Sequence, residues 1–430
     1  MKRCAVFSLA MFVALSLLTS CGGSGGGADG DEGDGTTPAV AAPEIATQIA
    51  LDFGVALLGR YSEREIVVNN VGTATLDIGQ LSLGNPNSGF SVEADNCSNK
   101  GIPVSEACTL IIRFTPADQI SYSNSLSIPS NEASKNPWVV NLSGKGRALN
   151  VSINQVLTED CAQQVLKLMV SVTDINDDPV LLLDVPNFTV LENGIHKDIN
   201  PPIRNTAARP LSVTLVLDYS GSLSDADRIG MEDSAKIFIA SLQFPAEGGN
   251  DEAAIVKFAL TIGAKTPFTS VENDLNAAID APYPGDINGT ILYEATIDAI
   301  AQYVGRPAGS KQALIVFSDG NDEESTSTLT DVINSAIHND IPVFTIAYIS
   351  SSISKPEIMQ QLAQETGGQF FLAPTTQLAG IYQTISTILS NQYLIEYTTS
   401  SSSGDTVSVV VEVDEVGNLG EASKDAAGCP

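Results

Sequence analysis

Histidine is nearly missing from this 430-residue sequence, with His196 and His338 as its two copies. A serine nucleophile needs a base beside it, and no motif places either histidine near a candidate serine. The spacing G-x-S-x-G is also missing around Gly221-Ser222-Leu223-Ser224, which removes the nucleophile elbow of α/β hydrolases. A phosphoaspartyl phosphatase wants a second aspartate two residues after the first, and Ser220 stands there instead. The glycine-rich stretch Gly22–Gly27 lacks the Gly-Lys-Ser/Thr of a phosphate-binding loop. No cysteine pair has C-x-x-C spacing, which argues against a zinc or redox centre. Positive charge is scarce as well: 21 Lys and Arg face 51 Asp and Glu, for a formal net charge of −30. Nucleic acid and anionic lipid are disfavoured as partners, because both are held by displacing counterions with basic groups. The acidity suits an extracytoplasmic body that attracts divalent cations, or a high-salt habitat; composition does not separate the two. The apolar stretch Ala5–Leu18 falls short of the roughly 20 residues that span a bilayer.

That stretch, preceded by Lys2 and Arg3 and followed by Leu18-Thr19-Ser20-Cys21, reads as a secretory signal over residues 1–20. Leu-Thr-Ser-Cys resembles the bacterial lipobox, which implies cleavage before Cys21 and lipidation of that cysteine. Residues 21–45, rich in Gly and Asp, cannot bury a core and are expected to form a flexible tether. Gly22 in place of aspartate resembles the sorting rule for outer-membrane lipoproteins, which implies an outer-membrane anchor and a chain facing the periplasm or the medium. Four further cysteines remain: Cys97, Cys108, Cys161 and Cys429. An even number in an exported chain reads as disulfides. Three pairings are open; if Cys97 takes the nearby Cys108, Cys161 must reach Cys429.

From residue 46 to 149 short alternating runs such as Arg64–Asn69, Cys108–Phe114 and Trp138–Leu142 are broken by turn residues, the rhythm of a β-sandwich. Asp52-Phe-Gly54, Asn70–Thr75, Phe114-Thr-Pro116, Ser130-Asn-Glu132 and Leu142–Gly146 together resemble the Ig-like ASPM–SPD-2–Hydin module. The resemblance implies a stiff spacer with no cluster of groups suited to chemistry. Residues 150–208 continue with Val165–Val172, Val180–Leu183 and Phe188–Glu192 as strands. Asp174–Asp178 between the first two lacks the spacing and closing glutamate of a calcium loop and reads as a hairpin turn. These strands are too few for a sandwich. Tyr393–Tyr397 and Thr406–Val413 supply the rest, so 150–208 and 392–430 are expected to form one split sandwich that a Cys161–Cys429 bond would close.

Between 209 and 391 the rhythm changes. Apolar strands Val213–Leu217, Ala253–Phe258, Ala313–Phe317 and Val343–Ala347 alternate with helical stretches at Asp225–Leu242, Ile291–Tyr303, Leu329–His338, Lys355–Glu365 and Leu378–Leu389. Such alternation predicts a doubly wound, Rossmann-like α/β domain, making the whole a multidomain chain of one α/β domain and all-β Ig-like sandwiches. In doubly wound sheets ligands gather at the carboxyl ends of the strands. Asp218-x-Ser220-x-Ser222 follows the first strand there, Thr290 precedes a helix, and Asp319 follows a later strand.

Taken alone, each element has a plain structural reading. Asp and Ser are cap and turn residues, Thr290 could be a helix N-cap, and Asp319 a turn residue before Gly320. Asn321–Glu324, Asp286 and Glu294 read as solvated loop charges. In order and together, however, Asp218, Ser220, Ser222, Thr290 and Asp319 resemble the von Willebrand factor A domain and its metal-ion-dependent adhesion site. The resemblance implies that Ser220, Ser222 and Thr290 bind a divalent cation through their hydroxyls, with Asp218 and Asp319 contributing directly or through water. Hard oxygen donors suit Mg²⁺ first, then Ca²⁺ or Mn²⁺, and not zinc. Two carboxylates leave the ion electrophilic enough to accept an acidic side chain from a partner protein. The expectation is therefore a membrane-anchored, metal-dependent protein-binding lipoprotein, with no catalytic residues and no small-molecule substrate. A metal-independent scaffold of the cell envelope is the alternative, and a hydrolase the remoter one.

Overall fold

A computed structural model describes residues 41–206, 209–306, 309–348, 354–373, 377–402 and 405–429. The expected signal, most of the tether and Cys21 lie outside them. No helix among the described residues is long and apolar enough to cross a membrane.

The first sandwich sets a sheet of Ile45–Ala46, Ser62–Asn70, Ala107–Phe114 and Phe90–Asp95 against one of Ala50–Leu57, Trp138–Arg147, Ser121–Ile128 and Ser82–Leu83. Ser62–Asn70 turns Ile66 and Val68 into the core and leaves Val67 partly exposed, the period-2 pattern that one buried face imposes. Phe53, Phe90 and Phe114 fill the centre with ring centroids 4.7 to 5.8 Å apart. Cys97 and Cys108 are bonded, their Cα atoms 5.3 Å apart.

In the second sandwich, strands from both ends of the C-terminal region pair with one another. One sheet runs Asn150–Leu157, Val165–Thr173, Tyr393–Thr398, Ile199–Asn205; the other runs Ile195–Lys197, Phe188–Glu192, Thr406–Glu415, Asn418–Ala427. Leu168 lies opposite Ile395, and Val190 opposite Val411, so each half completes a core that the other begins. Cys161 and Cys429 are bonded across 268 residues of sequence. The expected strand Val180–Leu183 does not form. Pro179 offers no N–H to a ladder. Leu182 sits at φ 64° and is 98% exposed, a backbone that no strand continues through. The Asp174 carboxylate accepts from the backbone N–H of Asn176 at 2.8 Å and Asp178 at 3.0 Å, which is the self-closing turn such residues favour.

The α/β domain has six strands in the order Ile262–Thr269, Glu252–Phe258, Leu211–Asp218, Lys311–Ser318, Val343–Tyr348, Phe370–Ala373. All neighbours are parallel except Ile262–Thr269. Its helices are α1 (Asp225–Ile239), α2 (Glu272–Asp280), α3 (Leu292–Ala301), α4 (Leu329–His338), α5 (Pro356–Thr366) and α6 (Leu378–Ser390). Every residue of Leu211–Asp218 is buried, because separate apolar clusters cover the two sheet faces. Pattern reading missed Ile262–Thr269, α2 and Phe370–Ala373. The first carries Gly263 and Pro267, which an edge strand tolerates and which blur the strand signal.

The three domains pack on one another. Arg60 of the first sandwich pairs with Asp177 of the second at 2.8 Å. Arg147 and Lys145 of the first meet Glu421 of the second, and Ser62–Asn70 lies along α5 through hydrogen bonds described below. The expected spacer is thus docked onto the α/β domain.

Glu192, 1% exposed inside the second sandwich, accepts from Thr399 Oγ1 at 2.6 Å and from the N–H and hydroxyl of Ser400, and pairs with Lys197 at 3.0 Å. Burial works against its charge, but these hydrogen bonds outweigh burial and bring the carboxyl from 4.5 down to about 2. A depressed carboxylate stabilises the fold fully above its unfolded pKa and loses that contribution as pH falls toward the folded one. Chemical denaturation of the wild type should lose on the order of 2–3 kcal/mol between pH 5 and pH 2 from this group. Glu192→Gln should flatten that part of the slope; an unchanged slope would remove Glu192 as its source.

Candidate metal site

The strand order places Leu211–Asp218 beside Lys311–Ser318. Connections from these two strands run in opposite directions across the sheet, so the crevice between their carboxyl ends is the topological switch point. Asp218 ends the first strand and Asp319 follows the second. The other candidate residues arrive on loops that hydrogen bonds tie together. Gly221 N–H donates to the Ile287 carbonyl at 2.7 Å, and Ile291 N–H to that of Ala259 at 2.9 Å. The N–H groups of Glu323 and Glu324 both donate to the Thr290 carbonyl at 3.1 Å. The loop after Asp319 is thereby bound to the loop carrying Thr290, which is bound to the loop carrying the serines.

Within this frame, Asp218 Oδ1 accepts from the Ser220 N–H at 2.7 Å, and Asp218 Oδ2 from the Ser318 hydroxyl at 2.7 Å. The Ser220 and Ser222 hydroxyls lie 3.1 Å apart. Asp319 Oδ1 accepts from the Asn321 N–H at 3.1 Å. Asp218, Asp319, Ser220 and Thr290 are buried and Ser222 is half-buried. Gly221 packs tightly, since a Cβ there would sit 3.2 Å from the Ile287 carbonyl oxygen. Gly320 is more constrained: its φ is 80°, and a Cβ would fall 2.2 Å from the Lys355 carbonyl oxygen. Only glycine fits both conditions.

Burial first, and the neighbouring Asp319 charge second, push the Asp218 carboxyl up to about 6, against the hydrogen bonds from Ser220 and Ser318. Two carboxyl groups at one buried crevice are costly to ionise without a counter-charge, and a hard divalent cation supplies one. Among the described residues no three His, Cys, Asp or Glu side chains converge as metal ligands, so a cation here would rest on hydroxyls beside the two aspartates. The donor set fits such an ion.

The plain structural readings separate cleanly. The cap of α1 is Ser224, which accepts from Asp227 N–H, and not Ser222. Thr290 does not cap α3, whose N-cap is Ile291 with no side-chain bond. The neighbouring acids turn out to brace the loop and not merely to solvate it. One oxygen of Glu294 accepts from Thr326 N–H at 2.6 Å, Thr326 Oγ1 at 2.8 Å and Ser327 N–H at 2.8 Å. These bonds, with Ser325, overcome burial and hold its carboxyl at about 2. Asp322 accepts from Tyr293 N–H and the Ser325 hydroxyl, and burial raises its pKa. Asp286 closes its own turn through Asn288. His196 and His338 are both exposed, on Ile195–Lys197 and at the end of α4, away from the loops that carry Ser222.

Sequence reading assigned Ser318, which precedes Asp319 and Gly320, no role. It bridges the two halves of the site, donating to Asp218 and accepting from the Gly320 N–H at 3.1 Å. Its signal was a lone hydroxyl closing an otherwise apolar strand.

The doubly wound α/β domain thus sets the oxygen donors of Asp218, Ser220 and Ser318 at its switch point and packs against two β-sandwiches. Residues 212–384 match the von Willebrand factor type A domain, and residues 38–137 match the family described as abnormal spindle-like microcephaly-associated, ASPM-SPD-2-Hydin. The chain is thus similar to each of these families over the residues matched. Among solved structures, an aerotolerance-related membrane protein from Bacteroides fragilis is 16% identical with a TM-score of 0.36, over 42% of this chain and 98% of that one. The von Willebrand factor type A protein from Catenulispora acidiphila is 12% identical with a TM-score of 0.37, over 65% and 73%. The vWF domain of the type V pili tip protein Mfa5 from Porphyromonas gingivalis is 15% identical with a TM-score of 0.35, over 42% and 94%. No curated protein matches the chain. Domains of the von Willebrand type A family commonly mediate protein–protein interactions, typically with a divalent cation, and are generally not enzymes.

Ser318→Ala should cost about 1.5–3 kcal/mol, the range for a hydrogen bond to a charged group, in urea unfolding with EDTA present. A cost within error of zero would mean that the Asp218–Ser318 bond is dispensable.

Proposed function

We propose that this chain is an envelope lipoprotein that captures a partner protein through a divalent cation in its von Willebrand type A domain. Ser220, Ser222 and Thr290 would hold the ion through hydroxyls, and Asp218 and Asp319 through carboxylates, directly or by way of water. The bound ion would supply an electrophilic position for a carboxylate of the partner. Ser318 holds Asp218 in place, Gly320 lets the chain turn beneath Asp319, and the acid-braced 322–327 loop keeps Thr290 fixed. Mg²⁺ is the first choice of ion, with Ca²⁺ and Mn²⁺ as alternatives. Cys21 would carry the lipid on the outer membrane, and the tether would give the folded body reach. The observation that supports this reading most is the chain of backbone bonds joining the three loops at the switch point.

An ion that binds only the folded state stabilises it by about 2.7 kcal/mol at one hundred times its Kd. Saturating Mg²⁺ should therefore raise the melting temperature of the wild type measurably, and leave that of Asp218→Ala/Asp319→Ala where it was. Equal Mg²⁺ responses in the two chains would refute the assignment. Cys21→Ser should move the protein from the membrane pellet to the soluble envelope fraction; a variant that still pellets with membrane would exclude Cys21 as the anchor.

A further inference from the structure

Helix α5 touches the candidate cation site and both sandwiches. At its start, the Lys355 N–H donates to the Asp319 carbonyl at 2.8 Å. The Lys355 carbonyl and Met359 crowd the space above Gly320, so the beginning of α5 cannot slide toward that loop. At its middle, Gln360 grips the first sandwich with both ends of its amide. Its Oε1 accepts from the Glu63 N–H at 2.9 Å, and its Nε2 donates to the Tyr61 carbonyl at 2.9 Å. One turn on, Gln364 Oε1 accepts from Arg64 Nη2 at 2.8 Å. Gln360 and Arg64 are both buried, at 7% exposure each. At its end, Gly367 closes the helix at φ 82° and its carbonyl accepts from Asn154 Nδ2 of the second sandwich at 2.8 Å.

We infer that Gln360 and Gln364 are positioning residues for the cation site, and that the first sandwich is part of that site's scaffold. The inference rests on the metal reading above. A helix held at three points transmits displacement of one point to the others, because a packed helix moves as a rigid element. The segment from Lys355 to Gln364 is about two and a half helical turns, so the grip on Tyr61 and Glu63 lies one to two turns from the bond to Asp319. Ligating groups must be held to about 0.5 Å to keep their affinity. Releasing the grip frees the start of α5, and with it the Asp319 carbonyl. The coupling is reciprocal: an ion that tightens the Asp319 loop also tightens the hold of α5 on the first sandwich. Through this helix, capture of a partner at the site is felt by the domain nearest the tether.

The test uses the full chain and Mg²⁺ alone. Calorimetric titration of Gln360→Ala/Gln364→Ala should give a Kd about 5- to 150-fold weaker than wild type, the usual range of coupling between sites. The single Gln364→Ala variant, which leaves the Gln360 amide in place, should give a smaller loss. On the wild type, hydrogen exchange of a peptide spanning residues 60–66 should slow when Mg²⁺ is added, since the Glu63 N–H is itself one of the bonds. The same peptide in Asp218→Ala/Asp319→Ala should show no change. A merely structural role would alter stability without making exchange at 60–66 depend on Mg²⁺. Wild-type Kd values in both variants, or wild-type exchange at 60–66 indifferent to bound Mg²⁺, overturn the inference. Absence of any Mg²⁺ binding by the wild type overturns the metal reading itself, and is recognised before a variant is made.

Discussion

A carboxylate at the end of a strand buried on both faces governs the functional end of this molecule. Asp218 has no exposed surface, and the sheet that hides it cannot open without losing two apolar clusters. The protein answers with local hydrogen bonds, from Ser220 and from Ser318, and these do not bring the carboxyl back to its ordinary range. The remaining need is for positive charge, and His196 and His338 lie exposed on other elements. Arg228, the cation bonded into this loop, donates to the Ser220 carbonyl and to Asp225. Oxygen donors are what the crevice offers, and a hard cation is what they suit.

The same constraint explains why the surrounding loops are so heavily bonded. A site assembled from three loops would wander unless each loop were fixed by another. Here the backbone of Gly221 reaches Ile287, the carbonyl of Thr290 receives two N–H groups from beyond Asp319, and Asp319 itself holds the start of α5. Glu294 and Asp322 extend this order outward by gathering the N–H and hydroxyl groups of residues 325–327 and 293. Carboxylates near a metal-like site are easily read as extra ligands or as solvated charge. In this protein one oxygen of Glu294 and one of Asp322 accept from the chain instead.

How much of this was legible beforehand varies with how local the cause is. Strands such as Val343–Tyr348 and helices such as α4 follow from apolar periodicity and caps, which neighbouring residues carry by themselves. Thr328 and Asp331 form the capping box of α4 within four residues. The failures have non-local causes. Val180–Leu183 has the composition of a strand, but Leu182 takes a left-handed backbone, so Leu181 and Leu182 lie exposed while Leu183 turns into the second sandwich's core. Ile262–Thr269 became a strand because Glu252–Phe258 presented it with an edge. Ser318 was given no role beforehand, because that role depends on Asp218, one hundred residues away.

The sequence by itself determined the chemistry available: hydroxyls and carboxylates after buried strands, two histidines, and cysteines in even number. It also determined the rhythm of alternating and repeating segments from which the α/β domain and the two sandwiches are legible. Only the tertiary structure decided that the first sandwich leans on α5 through Gln360 and Gln364. A glutamine on a helix surface carries no sign of its partner, because its amide bonds equally well to water or to another domain's backbone. Which it meets depends on how whole domains pack.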